Sequence, residues 1–213
     1  MFCEVLVEGF SDVAVVREVL TRHLGRVEGN HFRIHPHRGK GALPADPAAR
    51  PNPRHRGLLD QLPAKLRGYA HLSNDYAIVV LVDADDEDCV ALKRSLVALC
   101  APPNPCPARV LFRVAVEETE SWFLAQPDAV QVAYPKANVS AFRTLPPDAV
   151  CGAWERLART VGKAPEDCTG ADKHEWATRI APHLDFDQPV SPSLNALVSG
   201  LSLLLGHENV PAG

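Results

Sequence analysis

The stretch Tyr76–Cys89, YAIVVLVDADDEDC, decides how the rest of the chain is read. Ala77 to Val82 is an unbroken apolar run rich in β-branched residues. Strands buried on both faces at the centre of a parallel sheet have this character. The run breaks off in Asp83-Ala84-Asp85-Asp86-Glu87-Asp88. Side chains alternate along a strand, so Asp83 and Asp85 point the same way if the strand reaches that far. Open α/β sheets bind ligands at the carboxyl ends of their strands. Two carboxylates there repel each other unless a cation, a proton or a basic partner intervenes, and a hard divalent cation suits oxygen ligands. The competing reading is an acidic turn that caps the next helix, a role that Asp86, Glu87 and Asp88 fit.

Upstream of this stretch, Phe2–Val7 reads as a first strand ending at Glu8-Gly9, with Ser11 as N-cap of a helix over Asp12–Leu24. Val13, Val16, Leu20 and Leu24 fall on one stripe of that helix. Asp12 sits in its first turn, where the helix dipole favours an acid. Glu8, just before a glycine at a strand-to-helix junction, has no evident packing purpose. HFRIHPH (residues 31–37) predicts a second strand. His35 and His37 lack Cys or carboxylate partners at metal-site spacing, which disfavours a metal role for them. Arg38-Gly39-Lys40-Gly41 follows; it lacks the spacing and the Ser/Thr of a Walker A loop, and Lys40 reads equally as a lysine carried to a phosphate on a glycine loop or as a solvated loop lysine. Residues 42–57, rich in Pro, Ala and Arg, predict a flexible insertion and form the most basic patch of the chain. Leu59, Leu62, Leu66 and Tyr69 then mark a helix over Leu58–His71.

Downstream, Cys89, Leu92, Leu96 and Leu99 mark a helix that the Pro102-Pro103-Asn104-Pro105 run stops. Arg109–Val116 predicts another strand, with Glu117-Glu118-Thr119-Glu120 at its carboxyl end. Glu8, Asp83 and Glu117 thus close three different strands at the same sheet edge. That convergence shifts the balance from capping toward a site. Beyond Ala125 the strand pattern vanishes. Helices are predicted over Asp128–Ala133, Ser140–Leu145, Ala153–Val161, Asp172–Leu184 and Ser191–Leu205. Lys173 and His174 open one of them, near enough in the chain's plan to approach the site. The expected organisation is an α/β domain over 1–125 and an α-helical extension over 126–213 packed on it.

The chain has 213 residues, 46% hydrophobic and 23% charged, which is an ordinary globular composition. A net charge of -4 supplies no bulk attraction for nucleic acid, so any such contact must rest on local basic patches or metal ions. No apolar run approaches the roughly 20 residues of a membrane span. No signal-peptide pattern precedes the first strand, and a cytoplasmic location is expected. The six cysteines include no CxxC pair, which argues against a zinc ribbon, and those in apolar positions are expected as buried free thiols.

Strand–Glu8-Gly9–helix followed by strand–Asp83-x-Asp85–helix resembles the Toprim domain, the catalytic fold of topoisomerases, bacterial primases and overcoming-lysogenization-defect nucleases. Asp12 matches the acid that the nuclease branch sets one helical turn after its glutamate. The ordered set VEGFSD, HPHRGKG, LVDADDEDC, EETESWFL and DKHE…IAPHLD, spanning most of the chain, resembles the Toprim-like bacterial domain-of-unknown-function family 4276. The resemblance implies a Rossmannoid with a mainly parallel central sheet flanked by helices. It also implies one or two Mg²⁺ or Mn²⁺ ions held by Glu8, Asp83 and Asp85, with Asp12, Glu118 or Glu120 assisting. The implied activity is phosphodiester cleavage in nucleic acid, DNA ahead of RNA, with Lys40 or Lys173 neutralising developing charge. Members of the wider group look like anti-phage defence effectors. No ATPase motif is present, so an ATPase partner would be a separate polypeptide. No context for a topoisomerase tyrosine, zinc finger or helicase is found. The alternatives are a nucleotidyl- or phosphotransfer enzyme on the same fold, or an inactive module that regulates a partner.

Overall fold

The computed structural model describes residues 1–143, 146–148 and 151–206. Four strands, β1 (Phe2–Val7), β2 (Phe32–Pro36), β3 (Tyr76–Asp83) and β4 (Val110–Ala115), form one sheet in the order β2-β1-β3-β4. All three pairings are parallel. Parallel neighbours need crossovers, and these are supplied by α1 (Phe10–Glu18), α2 (Leu58–Tyr69) and α3 (Cys89–Ala98). The β1 and β3 ends lie side by side, as the Leu6–Val80 register shows. The Asp83–Ala115 pairing brings the β4 end level with them.

Strand residues divide between two cores. Val5, Val7, Val79 and Leu81 face α1, whereas Leu6, Ile78, Val80 and Val82 face α2 and α3. Both faces of β3 are therefore covered, which is why its sequence is uniformly apolar rather than alternating. Beyond β4 come α4 (Glu120–Leu124), α5 (Pro127–Ala133), α6 (Ala153–Thr160), α7 (Gly170–Ile180) and α8 (Pro192–Leu205). Trp122, Val130, Leu157, Trp176, Ile180, Leu194 and Leu197 from these helices enter the same core as α1. The late helices therefore complete one face of the sheet. No helix among the described residues is long and apolar enough to cross a membrane.

Several local expectations need correction. The first helix begins at Phe10, and its N-cap is Gly9 rather than Ser11, because the Gly9 N–H reaches the Asp12 carboxylate at 2.9 Å. Its last turn, Val19–His23, widens into a π-helix. Strand β3 stops at Asp83, and Asp85 takes a positive φ of 50°, so the two aspartates do not share a strand face. The segment predicted as helix from Ser140 is a single 3₁₀ turn, Ser140–Phe142; Thr144 and Leu145 lie outside the described residues, as do residues 207–213. Cys100 and Cys106 are joined as a disulfide, not free thiols, since the Pro-rich turn between them brings their Cα atoms to 5.2 Å. Cys3 is a buried free thiol as expected, but Cys151 is exposed. The insertion 42–57 has no helix or strand, and the Arg67 guanidinium donates to Pro47 and Ala49 carbonyls to hold it.

Candidate functional site

The site is assembled where β1, β3 and β4 end. Glu8, the first residue after β1, turns its carboxylate sideways to accept the Asp83 backbone N–H at 2.7 Å. Asp83, the last residue of β3, accepts the Thr119 N–H at 3.1 Å. The Thr119 hydroxyl donates to Asp12 at 3.1 Å, and the other Asp12 oxygen accepts from Gly9. These bonds connect Glu8, Asp83, Thr119 and Asp12 across three chain segments. Asp12 is 3% exposed, Thr119 2% and Glu120 2%, so the centre of the group is dry.

Glu120 and Glu118 approach from the loop and short helix after β4. Lys173 of α7 lies 3.2 Å from Glu118 Oε1 and 4.0 Å from Glu120 Oε1. The Lys173 ammonium also stands over the Trp154 ring, 4.8 Å from its centroid. Glu120 Oε1 is buried and has no hydrogen-bond partner among the described residues. A buried carboxylate oxygen whose near cation, Lys173 at 4.0 Å, stands beyond hydrogen-bond reach is costly and calls for an explanation.

The electrostatics express the crowding. Burial, opposed by the Asp83 N–H and reinforced by the charges of Asp12 and Asp85, raises the Glu8 pKa to about 8. Burial raises Asp12 to about 6 and Glu120 to about 7. Asp83 is pushed well above the usual carboxylate range by burial and then by Asp12, Glu8, Glu120 and Glu118. Burial also raises Glu118, with Lys173 opposing. Burial works against the Lys173 charge, yet Glu120 and Glu118 together hold its pKa above the ordinary lysine value. One ammonium thus serves a group of five carboxylates.

Of the residues selected from sequence, Glu8, Asp12, Asp83, Glu118, Glu120 and Lys173 belong to this connected group. Asp85 and Lys40 form a separate pair at the rim. Lys40 Nζ contacts Asp85 Oδ2 at 3.1 Å, Glu87 Oε1 at 2.7 Å and the Ala84 carbonyl at 3.0 Å. Glu87 thus pairs with Lys40, and Asp88 alone caps α3, accepting the Val90 and Ala91 N–H groups. His174 turns away to the Phe10 carbonyl. His35 pairs with Glu4, and His37 contacts the Val7 carbonyl, so neither reaches the site.

Two participants escaped the sequence reading. Thr119 bridges Asp83 and Asp12 from within an acidic run that drew attention to its glutamates. The N-terminus of α6 receives Glu117 and Glu118: Gly152 and Ala153 N–H groups donate to Glu117, and the Trp154 N–H donates to Glu118 at 3.2 Å. Gly152-Ala153 was a legible helix start, but nothing in sequence told which carboxylates it would meet. Beside it, Asp85, Asp86, Glu117, Glu118, Glu155 and Trp154 line a cleft of about 210 Å³.

The donor chemistry fits a hard divalent cation: all-oxygen ligands, excess negative charge and an orphaned Glu120 oxygen. In the arrangement described, no three His, Cys, Asp or Glu side chains among the described residues already converge at ligating spacing. Ion binding would therefore require carboxylates to turn from their present hydrogen bonds. No curated protein and no solved structure matches the chain. A family model described as a domain of unknown function does match, over residues 7–202, and the chain belongs to that family, DUF4276.

Proposed function

We propose that this chain is a divalent-metal-dependent phosphodiesterase of the Toprim type that cleaves nucleic acid, with Mg²⁺ or Mn²⁺ as the cofactor. The observation that carries the reading is the charge deficit at the sheet edge. Glu8, Asp12, Asp83 and Glu120 are gathered at one site, Asp12 and Glu120 buried and Glu8 and Asp83 partly exposed, with raised pKa values and Lys173 as the near cation. Retaining mutually repelling carboxylates costs stability, and a bound dication would offset that cost. The order Glu8-Gly9, Asp12, Asp83 supports the Toprim comparison, as does the parallel sheet that sets Glu8 beside Asp83.

Glu8, Asp83 and Asp12 would hold the cation, with Glu118 or Glu120 and the rim carboxylate Asp85 completing the set. When bound, the cation supplies charge that polarises a phosphoryl oxygen and eases deprotonation of water. Glu8 would have to give up its proton to hold the cation, so cation uptake and its deprotonation would be linked. Lys173, fixed between Glu118 and the Trp154 ring, would face charge that develops on the phosphoryl oxygens. Lys40 would do the same at the rim, once released from Asp85 and Glu87. Thr119 orients both Asp83 and Asp12 and would keep them in register. By the wider resemblance, the physiological setting proposed is anti-phage defence, in concert with a separately encoded ATPase.

Cleavage of labelled DNA and RNA by the purified protein tests this. Activity should require Mg²⁺ or Mn²⁺, vanish in chelator, and be lost in a folded Asp83→Ala protein. Cleavage that persists in chelator and in that variant would sink the reading. A second reading draws on the lack of convergent ligating spacing. In it the carboxylates are balanced by protons and Lys173, and the chain is an inactive partner module. Transfer of labelled nucleotide without strand scission would instead indicate a nucleotidyl- or phosphotransferase.

A further inference from the structure

The acidic cleft adjoins a larger hollow of about 650 Å³. Gly152 and Glu155 line both. The character of the walls changes across that boundary. On the cleft side stand Asp85, Asp86, Glu117 and Glu118. On the other side stand Arg156 and Arg159, both exposed. They are three residues apart on α6 and so lie on one helix surface, with Cβ atoms about 5–6 Å apart. Neither forms an ion pair among the described residues. Arg156 Nε is directed by the Cys151 carbonyl at 3.3 Å, which leaves the far end of its guanidinium available.

A chain of net charge -4 with carboxylates at its centre repels a polyanion. Affinity for such a substrate has to come from phosphate contacts beside the reacting centre, and arginine is suited to them because its planar fork matches phosphate oxygens. The hollow is open to solvent, so a single strand can lie along it. We infer that Arg156 and Arg159 form a phosphate-binding subsite that grips one nucleic-acid strand next to the carboxylate site. The inference rests on the phosphodiesterase reading of that site and adds the residues that hold the substrate.

The test is the salt dependence of binding of a fluorescent, phosphorothioate-substituted single-stranded oligonucleotide to the full chain in Mg²⁺. For single strands, each phosphate contact contributes about 0.7 to the slope of log affinity against log salt. The double variant Arg156→Gln/Arg159→Gln should therefore lower the slope by about 1.4, while Arg156→Lys/Arg159→Lys should keep it. Mn²⁺ uptake should be the same in all three proteins, because the arginines are exposed and neither pairs with a carboxylate of the site. If the wild type binds and cleaves but the Gln variant keeps the full slope, the subsite is overturned and the phosphodiesterase reading survives. If the wild type neither binds nor cleaves at low salt in Mg²⁺, both are overturned.

Discussion

The Glu8 carboxylate accepts the backbone N–H of Asp83 at 2.7 Å, tying the end of β1 to the end of β3 through a group that is itself a candidate ligand. This bond needs an oxygen but not a charge. Glu8→Gln should keep it and remove a buried negative charge that burial and Asp12 already disfavour. The metal-free variant is expected to melt higher than the wild type at about pH 8, by about 2–4 °C for each kcal/mol gained. It should also lose the stabilisation that divalent cations confer. Thermal melts with and without Mn²⁺ check both, and a lower melting temperature in chelator would show that the charge at Glu8 is stabilising.

Glu8, Asp12 and Glu120 hold protons in the folded state up to about 8, 6 and 7, against ordinary values of 4.5, 3.8 and 4.5. The folded chain therefore binds more protons than the unfolded chain between those limits, so stability falls as pH rises through this window. Above the folded pKa of Glu8 this contribution levels off. Metal-free protein should be more stable at about pH 5 than at about pH 8, and added Mg²⁺ should restore more at the higher pH, where it competes with fewer protons. Calorimetry in chelator checks this; stability that rises across the window would contradict the protonation scheme.

Lys173 is the ammonium nearest to Glu118 and Glu120, at 3.2 and 4.0 Å. Lys173→Met should cost about 1–3 kcal/mol at about pH 8, below the full value for a buried pair because the lysine is partly exposed. The loss should shrink at about pH 5, where Glu120 carries its proton. Denaturant unfolding at both values measures it. An equal loss at both would assign the effect to packing against Trp154, not to charge.

Much of this arrangement is legible in the amino-acid sequence. The unbroken run Ala77–Val82 announced a strand buried on both faces, and carboxylates at three strand ends announced a shared edge. The periodicities of α1 and α2 identified their buried sides correctly, since Val13, Val16, Leu20, Leu59, Leu62 and Leu66 are all in the core. Pattern reasoning failed where backbone geometry departs from regular structure. The alternation rule paired Asp83 with Asp85, but the chain leaves the strand at Asp83 and reverses through a left-handed residue. The same holds for Glu117, whose φ of 62° sends its carboxylate to α6. Thr119 and the α6 N-terminus were hidden because their partners lie roughly 35 to 107 residues away in sequence.

Glu117 illustrates a supporting rather than a ligating carboxylate. It accepts from Gly152 and Ala153 and so fixes the start of α6 against the loop after β4. Glu117→Ala should cost about 1–2 kcal/mol, the usual range for losing a helix cap. Mn²⁺ affinity should be unchanged when measured on the folded variant. Lost metal affinity with unchanged stability would place Glu117 among the ligands instead.

The central claim is that the carboxylates at the β1, β3 and β4 ends take up a divalent cation. Titrating Mn²⁺ into metal-free protein in a calorimeter at about pH 8 tests it directly. Saturable uptake is predicted for the wild type, weaker at about pH 6 as Glu8 and Glu120 gain protons, and absent in a folded Asp83→Asn protein. No uptake by the wild type, or undiminished uptake by Asp83→Asn, would contradict the account.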